Sequence, residues 1–344
     1  MTSTTAAALD ISALTRHLDD VGVERKGALR ADLISGGRSN LTFLIYDDRS
    51  TWVLRRPPIH GVTPSAHDMT REFRVVSALA ATDIPVARPV VMCNDDTVLG
   101  APFTLVDYVM GQVVRTETDL ALLGDDQAVV DCVNALIDVL ADLHAVDPGG
   151  IGLADWGRPQ GYLQRQVKRW GGQWEQSKTR ECPDLDDLTR RLIAAQPDHT
   201  ETTLVHGDFH LRNVITSASN GEVVAALDWE LCTLGDPLAD VGSLLAYWPA
   251  AGENTGGDFP ASALPGFPSR EEISRIYLEA TGRDPAALKF WHTLGLWKIA
   301  VIAEGVMRRA RDEPQNAAES GTPTVERIDA LVAKAREIAD QAGI

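Results

Sequence analysis

The chain has 344 residues, 44% of them hydrophobic, with 32 basic against 49 acidic side chains and a formal net charge of −17. That apolar content supports a sizeable core and excludes a disordered chain. The acidic balance excludes nucleic acid or an anionic membrane as the main partner, because either needs a basic surface; it permits a cationic small molecule without requiring one.

In chain order, a short amphipathic helix is expected over 9–20. Residues 31–46 read as strand, glycine turn and strand, and a further strand over 51–55 is stopped by Pro57 and Pro58. A loop over 59–68 leads to a helix over 69–81, with Phe73, Val76, Leu79 and Ala80 on one face. Two strands follow, 85–91 and 103–109, turning at Asn94, Asp95 and Asp96. After a connector at 107–111 helices dominate: 127–144, 159–177, 185–195, 238–248, 270–281, 286–312 and 323–341. Short strands and loops occupy 203–231, and 249–270 is a loop rich in Gly, Pro and Ser.

Cys93, Cys132, Cys182 and Cys232 are scattered, and no Cys-x-x-Cys pair suggests zinc or redox work. Reduced thiols and a cytoplasmic location are therefore expected. The first residues lack a basic start followed by an apolar stretch, so no signal peptide is expected. No apolar run approaches the roughly 18 residues of a membrane helix.

The most informative stretch is LVHGDFHLRNVI at 204–215, followed by AALDWE at 225–230. Asp208 precedes Asn213 by five positions, and Asp228 ends an apolar run. This set suits phosphoryl transfer from a magnesium nucleotide. Asp208 can accept the proton of an attacking hydroxyl, and Asn213 and Asp228 can supply oxygen ligands to the metal. A carboxylate at the end of an apolar strand is costly unless a cation or hydrogen bonds balance it. Asp228 therefore takes the main metal role, with Glu230 a second acid behind it. Asp236 reads as the N-cap of a helix that begins at Pro237, and Asp240 as a structural acid. Upstream, SGGRSN at 35–40 lies between two strands. Gly36 and Gly37 let backbone amides approach phosphates, and Ser39 and Asn40 add polar groups. No Gly-Lys-Ser/Thr follows, so this is not a Walker A loop.

These residues resemble the aminoglycoside phosphotransferase family, a branch of the kinase-like fold in which His-Gly-Asp-x4-Asn replaces the protein-kinase His-Arg-Asp-x4-Asn. The resemblance implies an α+β fold of protein-kinase type with two lobes. A small β-rich N-terminal lobe would span 1–108 and a larger, mainly helical C-terminal lobe 109–344. It implies ATP and Mg2+ as cofactors, and His206 as a scaffold residue. It implies a basic residue on the third strand gripping phosphate and held by a helical glutamate. Arg55 and Glu72 match those positions, with arginine in place of the usual lysine; Arg56 would point to the other face. Surface ion pairing of both arginines is the plain alternative. Asp107, Tyr108 and Val109 would border the adenine through their backbone. Arg212 either meets the transferred phosphate or lies on the loop surface.

Tyr162, Gln166, Arg169, Trp170 and Gln173 share one helical face, too polar for plain core and too aromatic for plain surface. That face reads as a groove wall, with inter-helix packing the alternative. Together with LRRPP at 54–58 and DWELCTLGDP at 228–237, the segment resembles the branch of kinase-like domains found fused to acyl-CoA dehydrogenases, over about 28–310. That branch implies a hydroxyacyl-CoA-type acceptor, against an aminoglycoside or amino sugar that the acidic balance would favour. On the later helix Trp297 and Glu304 are further substrate candidates, although Glu304 has Arg308 one turn on as a plain partner. A binding module that keeps the fold without catalysis is the rival of a different class, supported by Arg55 alone.

Overall fold

The computed structural model describes residues 9–36, 40–57, 69–197, 201–255, 261–313 and 322–344. The chain divides into two compact units, Met1–Met110 with Val224–Glu230, and Gly111–Val223 with Leu231–Ile344. The segment carrying Asp228 thus belongs with the first unit, whereas the expected boundary at 108/109 assigned it to the second.

The first unit contains helix α1 (Ile11–Asp20) and strands β1 (Arg30–Gly36), β2 (Leu41–Tyr46) and β3 (Thr51–Arg56). Helix α2 (Met69–Leu79), β4 (Pro89–Cys93), the one-turn α3 (Asp96–Leu99) and β5 (Phe103–Asp107) follow. The five strands form one antiparallel sheet in the order β1-β2-β3-β5-β4. Period-two burial turns Phe43, Ile45, Trp52, Leu54, Phe103 and Leu105 to one face, where Leu14 and Leu18 of α1 cover them. The strand expected over 85–91 starts only at Pro89. The Pro85 carbonyl instead accepts the Ala226 N–H at 2.7 Å, which ties the 224–230 segment to this unit. The turn expected at 94–96 carries α3, because Asp95 caps it by accepting from the Thr97 N–H at 2.9 Å and the Thr97 hydroxyl at 2.7 Å.

The second unit opens with α4 (Glu117–Ala121), which the sequence reading did not anticipate, although Thr116 and Asp119 form a capping box around its start. Then come α5 (Asp126–Ala145), α6 (Tyr162–Ser177), α7 (Pro183–Ala194), β6 (Thr203–Val205), β7 (Val214–Thr216), β8 (Val223–Ala226) and β9 (Thr233–Gly235). Helices α8 (Pro237–Ala246), α9 (Arg270–Thr281), α10 (Pro285–Asp312) and α11 (Val325–Ala342) complete the order. β8 straddles the boundary between the units. β6 and β9 pair antiparallel. Asp236 caps α8 as expected, accepting from the Leu238 N–H at 2.9 Å. Helices α8 and α10 cross with their backbones in contact: a Cβ at Gly242 would lie 2.3 Å from the Trp291 carbonyl oxygen, and one at Gly295 2.5 Å from that of Gly242. Among the described residues no helix is long and apolar enough to cross a membrane.

Candidate active site

Strand alternation separates the two neighbouring arginines of β3. Trp52, Leu54 and Arg56 share the core face, and Arg55 lies on the other. Arg55 Nη1 donates to Glu72 Oε1 at 2.7 Å, with side chains 29% and 18% exposed, so the pair is half-buried and not the solvent-facing bridge of the plain alternative. Arg56 is fully buried. Its guanidinium lies 5.9 Å from the centre of the Phe43 ring and donates to the Leu99 carbonyl at 3.2 Å.

Asp228 was expected to end a buried strand. Instead β8 stops at Ala226, and Asp228 is half-buried at φ 64°, the one non-glycine residue with positive φ among the described residues. Aspartate tolerates this left-handed backbone better than most side chains, at about 1 kcal/mol. Trp229 anchors the turn: it is buried, and its Nε1 donates to the Ala226 carbonyl at 3.0 Å. Burial raises the pKa of Glu72, Arg55 opposes the rise, and the nearby Asp228 and Glu230 add to it, leaving this carboxyl above the ordinary range. Glu230 is exposed.

The other nucleotide-side candidates in this unit are backbone positions. Gly36 pairs with Leu41 across the β1–β2 hairpin, and Asn40 is buried. Gly37 and Ser39 lie outside the described residues. Asp107 binds Arg88 at 2.6 Å. The Tyr108 N–H donates to the Thr51 carbonyl at 3.1 Å, its side chain is exposed, and Val109 is half-buried.

In the second unit β6 delivers the chain to buried His206. Gly207 follows at φ 89°, and a Cβ there would lie 2.7 Å from the Cβ of Leu231, so glycine is required twice over. His206 Nδ1 accepts the Asp208 N–H at 3.2 Å, the local scaffold contact expected of it. Asn213 Nδ2 donates to the Asp208 carbonyl at 2.9 Å and to its Oδ2 at 3.2 Å. The motif therefore closes on itself, and with its nitrogen engaged Asn213 presents its amide oxygen, a hard ligand suited to magnesium. Magnesium asks for only one or two protein carboxylates when phosphates complete its shell. No group of three or more His, Cys, Asp or Glu able to hold a metal occurs among the described residues.

Burial pushes the Asp208 carboxyl up, but His210, 3.5 Å away, and the positive potential of Lys298 and His206 outweigh it. Asp208 stays below the ordinary range and is ionised at neutral pH. Arg212 is exposed on the loop surface.

The loop hangs on Asp240, which the sequence reading placed only as structural. Its carboxylate is 1% exposed and accepts the His206 N–H at 2.6 Å and the Gly207 N–H at 2.8 Å. His144 Nε2 stands 3.3 Å from it, and His144 Nδ1 2.7 Å from the Tyr277 hydroxyl. Burial holds this imidazole below its ordinary pKa, so it is neutral, donating to Asp240 and accepting from Tyr277. Burial acts to raise Asp240, yet His144 and the loop donors prevail and keep it ionised. The sequence signal was an acid among Leu238, Val241 and Leu244 on one helix.

The proposed groove wall divides. Tyr162 is buried, its ring 6.2 Å from that of Trp291, and lines the same hollow as Gln166 and Trp170. Gln166 and Trp170, joined by a 3.2 Å hydrogen bond, line a small hollow of about 30 Å³ with Gly207, Asp240 and Lys298. Arg169 stacks on Trp170 at 5.2 Å, whereas Gln173 bonds Ser177 at 2.5 Å along its own helix. Trp297 and Glu304 do not reach the hollow. Trp297 is fully buried and donates to Thr189 at 2.9 Å. Glu304 Oε1 accepts from the Thr179 N–H at 2.9 Å and its hydroxyl at 2.6 Å, with Arg180 at 3.8 Å; Arg308 pairs with Asp312 instead. Both candidates are consumed in fastening the α6–α7 segment to α10. Lys298, beside Trp297, is the charged residue of that helix that lines the hollow, along with Trp291, Leu294 and Gly295, and its signal was a lone cation in an apolar run.

A family model described as "Phosphotransferase enzyme family" matches residues 31–291. The human protein "Acyl-CoA dehydrogenase family member 11" is 34% identical over 304 residues, 86% of this chain and 38% of that protein. "Probable acyl-CoA dehydrogenase IBR3" of Arabidopsis thaliana is 32% identical over 293 residues, 79% of this chain and 35% of that protein. The chain thus spans less than two fifths of the length of these relatives. Among solved structures, a candidate aminoglycoside phosphotransferase from Ralstonia eutropha is 31% identical, with 97% of each chain covered and a TM-score of 0.78. The ternary complex of an aminoglycoside phosphotransferase of type APH(4)-Ia with ADP and hygromycin B shares the fold at a TM-score of 0.60 and 16% identity, covering 93% of this chain and 97% of that one. The His-Gly-Asp-x4-Asn loop, the strand arginine bound to a helical glutamate and the family match over 31–291 converge: the chain belongs to the phosphotransferase enzyme family and has its kinase-like fold.

Proposed function

We propose that this chain transfers the γ-phosphoryl group of ATP to a hydroxyl of a small molecule, a hydroxyacyl-CoA-type metabolite. The observation that carries the reading is Asp208: ionised, half-buried and oriented by Asn213, it is a base placed to accept the hydroxyl proton as the oxygen attacks phosphorus. Arg55, held by Glu72, is the residue to grip the nucleotide phosphates through two donors. Asn213 and Asp228 are the oxygen donors to hold magnesium, which neutralises charge on the phosphates when bound. The acceptor class rests on the likeness to kinase-like chains of acyl-CoA dehydrogenase family members. An amino-sugar acceptor is the second reading, favoured by the net charge of −17.

The test is MgATP turnover against a panel of hydroxyacyl-CoA thioesters and aminoglycosides, with products identified by mass. Asp208→Ala should abolish transfer, a loss of about 10²–10⁴ or more, while nucleotide binding persists. Turnover within a few-fold of the unaltered protein would remove Asp208 as base. Failure of the unaltered protein to bind or turn over MgATP would favour a binding module.

A further inference from the structure

We infer that Lys298 selects the acceptor: its ammonium takes an oxygen of the substrate, a carboxylate or acyl carbonyl near the reacting hydroxyl, and turns away amino sugars. The inference rests on the phosphotransfer reading above. Trp297, Ile299, Ala300 and Val301, its neighbours on α10, are all buried, and Lys298 is the cation that this helix brings into the hollow beside Gly207 and Asp240.

An ammonium carries three donors and no acceptor. Here its Nζ lies 5.5 Å from the centre of the Trp170 ring, which fixes its position without accepting a conventional hydrogen bond. Among the described residues no oxygen accepts a hydrogen bond from it. The charged groups that face it are Asp208, Asp240 and Arg169. Asp240 already receives His206, Gly207 and His144, and Asp208 receives Asn213 and faces His210. Burial draws the lysine pKa below its ordinary value and the fields of these two carboxylates oppose that fall; both oxygens of Asp240, and Oδ2 of Asp208, are already engaged. Half-buried donors without an acceptor are costly, so the position is explained by an oxygen that arrives with the substrate. The same field couples Lys298 to Asp208, so a substrate oxygen held by the lysine lies in the neighbourhood of the base. A substrate ammonium would meet Lys298 and Arg169 together.

The experiment supplies MgATP and four probes: 3-hydroxybutyrate, its coenzyme A thioester, butane-1,3-diol and 4-aminobutan-2-ol, with kanamycin as a fifth. Phosphorylated products are identified by mass for the unaltered protein, Lys298→Met and Lys298→Arg, all checked for cooperative unfolding. Expected is product from the acid or its thioester and none from the amine or kanamycin. Lys298→Met should raise the KM for that acceptor by roughly 10–100-fold, the worth of a charge-assisted hydrogen bond, with kcat changed much less and Lys298→Arg recovering part of the loss. Equal phosphorylation of the amine or kanamycin, or an unchanged KM in Lys298→Met, overturns the inference and leaves the phosphotransfer reading in place; MgATP binding without product from any probe overturns the inference and favours the binding module. Absence of MgATP binding and of any turnover overturns that reading as well.

Discussion

Removing the carboxylate of Asp240 should unfasten the catalytic loop while leaving the helices around it folded. Asp240→Ala deprives the His206 and Gly207 amides of an acceptor at 2.6 and 2.8 Å. Hydrogen bonds to a charged group contribute about 1.5–3 kcal/mol each, and a buried N–H left without a partner keeps its desolvation cost. Two such bonds imply roughly 3–6 kcal/mol of lost protection, or about 10²–10⁴-fold faster local opening at 1.36 kcal/mol per tenfold. Asp240→Asn keeps one acceptor oxygen but turns a donor towards the other amide, so about half the loss is expected. Hydrogen exchange followed by mass spectrometry on peptides spanning 203–209 reads the effect, with peptides from α9 as the internal reference. Unchanged protection over 206 and 207 in Asp240→Ala, in a protein that is otherwise native, would refute the argument that this side chain suspends the loop.

Three further outcomes follow from the same geometry. Asp228→Asn should weaken binding of MgATP more than of metal-free ATP while keeping the fold, because asparagine also tolerates φ 64°; equal losses by calorimetry with and without magnesium would remove the metal role. Arg55→Lys should retain part of the apparent ATP affinity and Arg55→Ala lose most of it, since lysine keeps the charge but not the fork; silent changes at Arg55 and Glu72 together would take this pair out of the site. Glu253 is held down to about 2 from 4.5: burial acts to raise it, but the fork of Arg270 at 2.6 and 3.0 Å and Lys334 at 3.2 Å prevail. A depressed carboxyl stabilises the folded state above pH 4.5, and this contribution, of about 3 kcal/mol, disappears as pH falls from there through about 2. Urea denaturation between pH 7 and pH 3 should therefore show an acid-dependent loss that Glu253→Gln flattens, and an identical acid limb in both proteins would contradict the assignment.

What the sequence disclosed was local. Period two on β3 separated Arg55 from Arg56 correctly, because burial of Trp52 and Leu54 fixes which face each residue takes. Hydrophobic period and capping signals located the long helices to within a few residues. Asp208 and Asn213 were legible as a spaced pair in one loop, but the hydrogen bond between their side chains was not anticipated. What stayed hidden depends on distant partners. Asp240 meets amides 33 and 34 positions earlier, and Glu304 finds Thr179 across 125 residues in place of the arginine one turn away. Helical periodicity could say that Trp297 and Lys298 take different directions, but only packing against α7 decides which is core and which reaches the hollow. The left-handed backbone of Asp228 had no signal either, since the sequence continues from strand to turn without a glycine.

The bare crossing of α8 and α10 has a consequence for how this chain tolerates change. Gly242 and Gly295 carry no chemistry, yet the missing methyl groups act as the gauge that sets how near one helix rides to the other. Asp240 stands two positions before one glycine and Lys298 three positions after the other, so any side chain at the crossing is a shim driven between the loop's anchor and the hollow's cation. Alanine at Gly242, which does not line the hollow, should therefore behave as a mutation of the active site while contacting neither substrate nor base. Variants that alter acceptor choice are to be sought at this seam as much as among the charged residues it spaces.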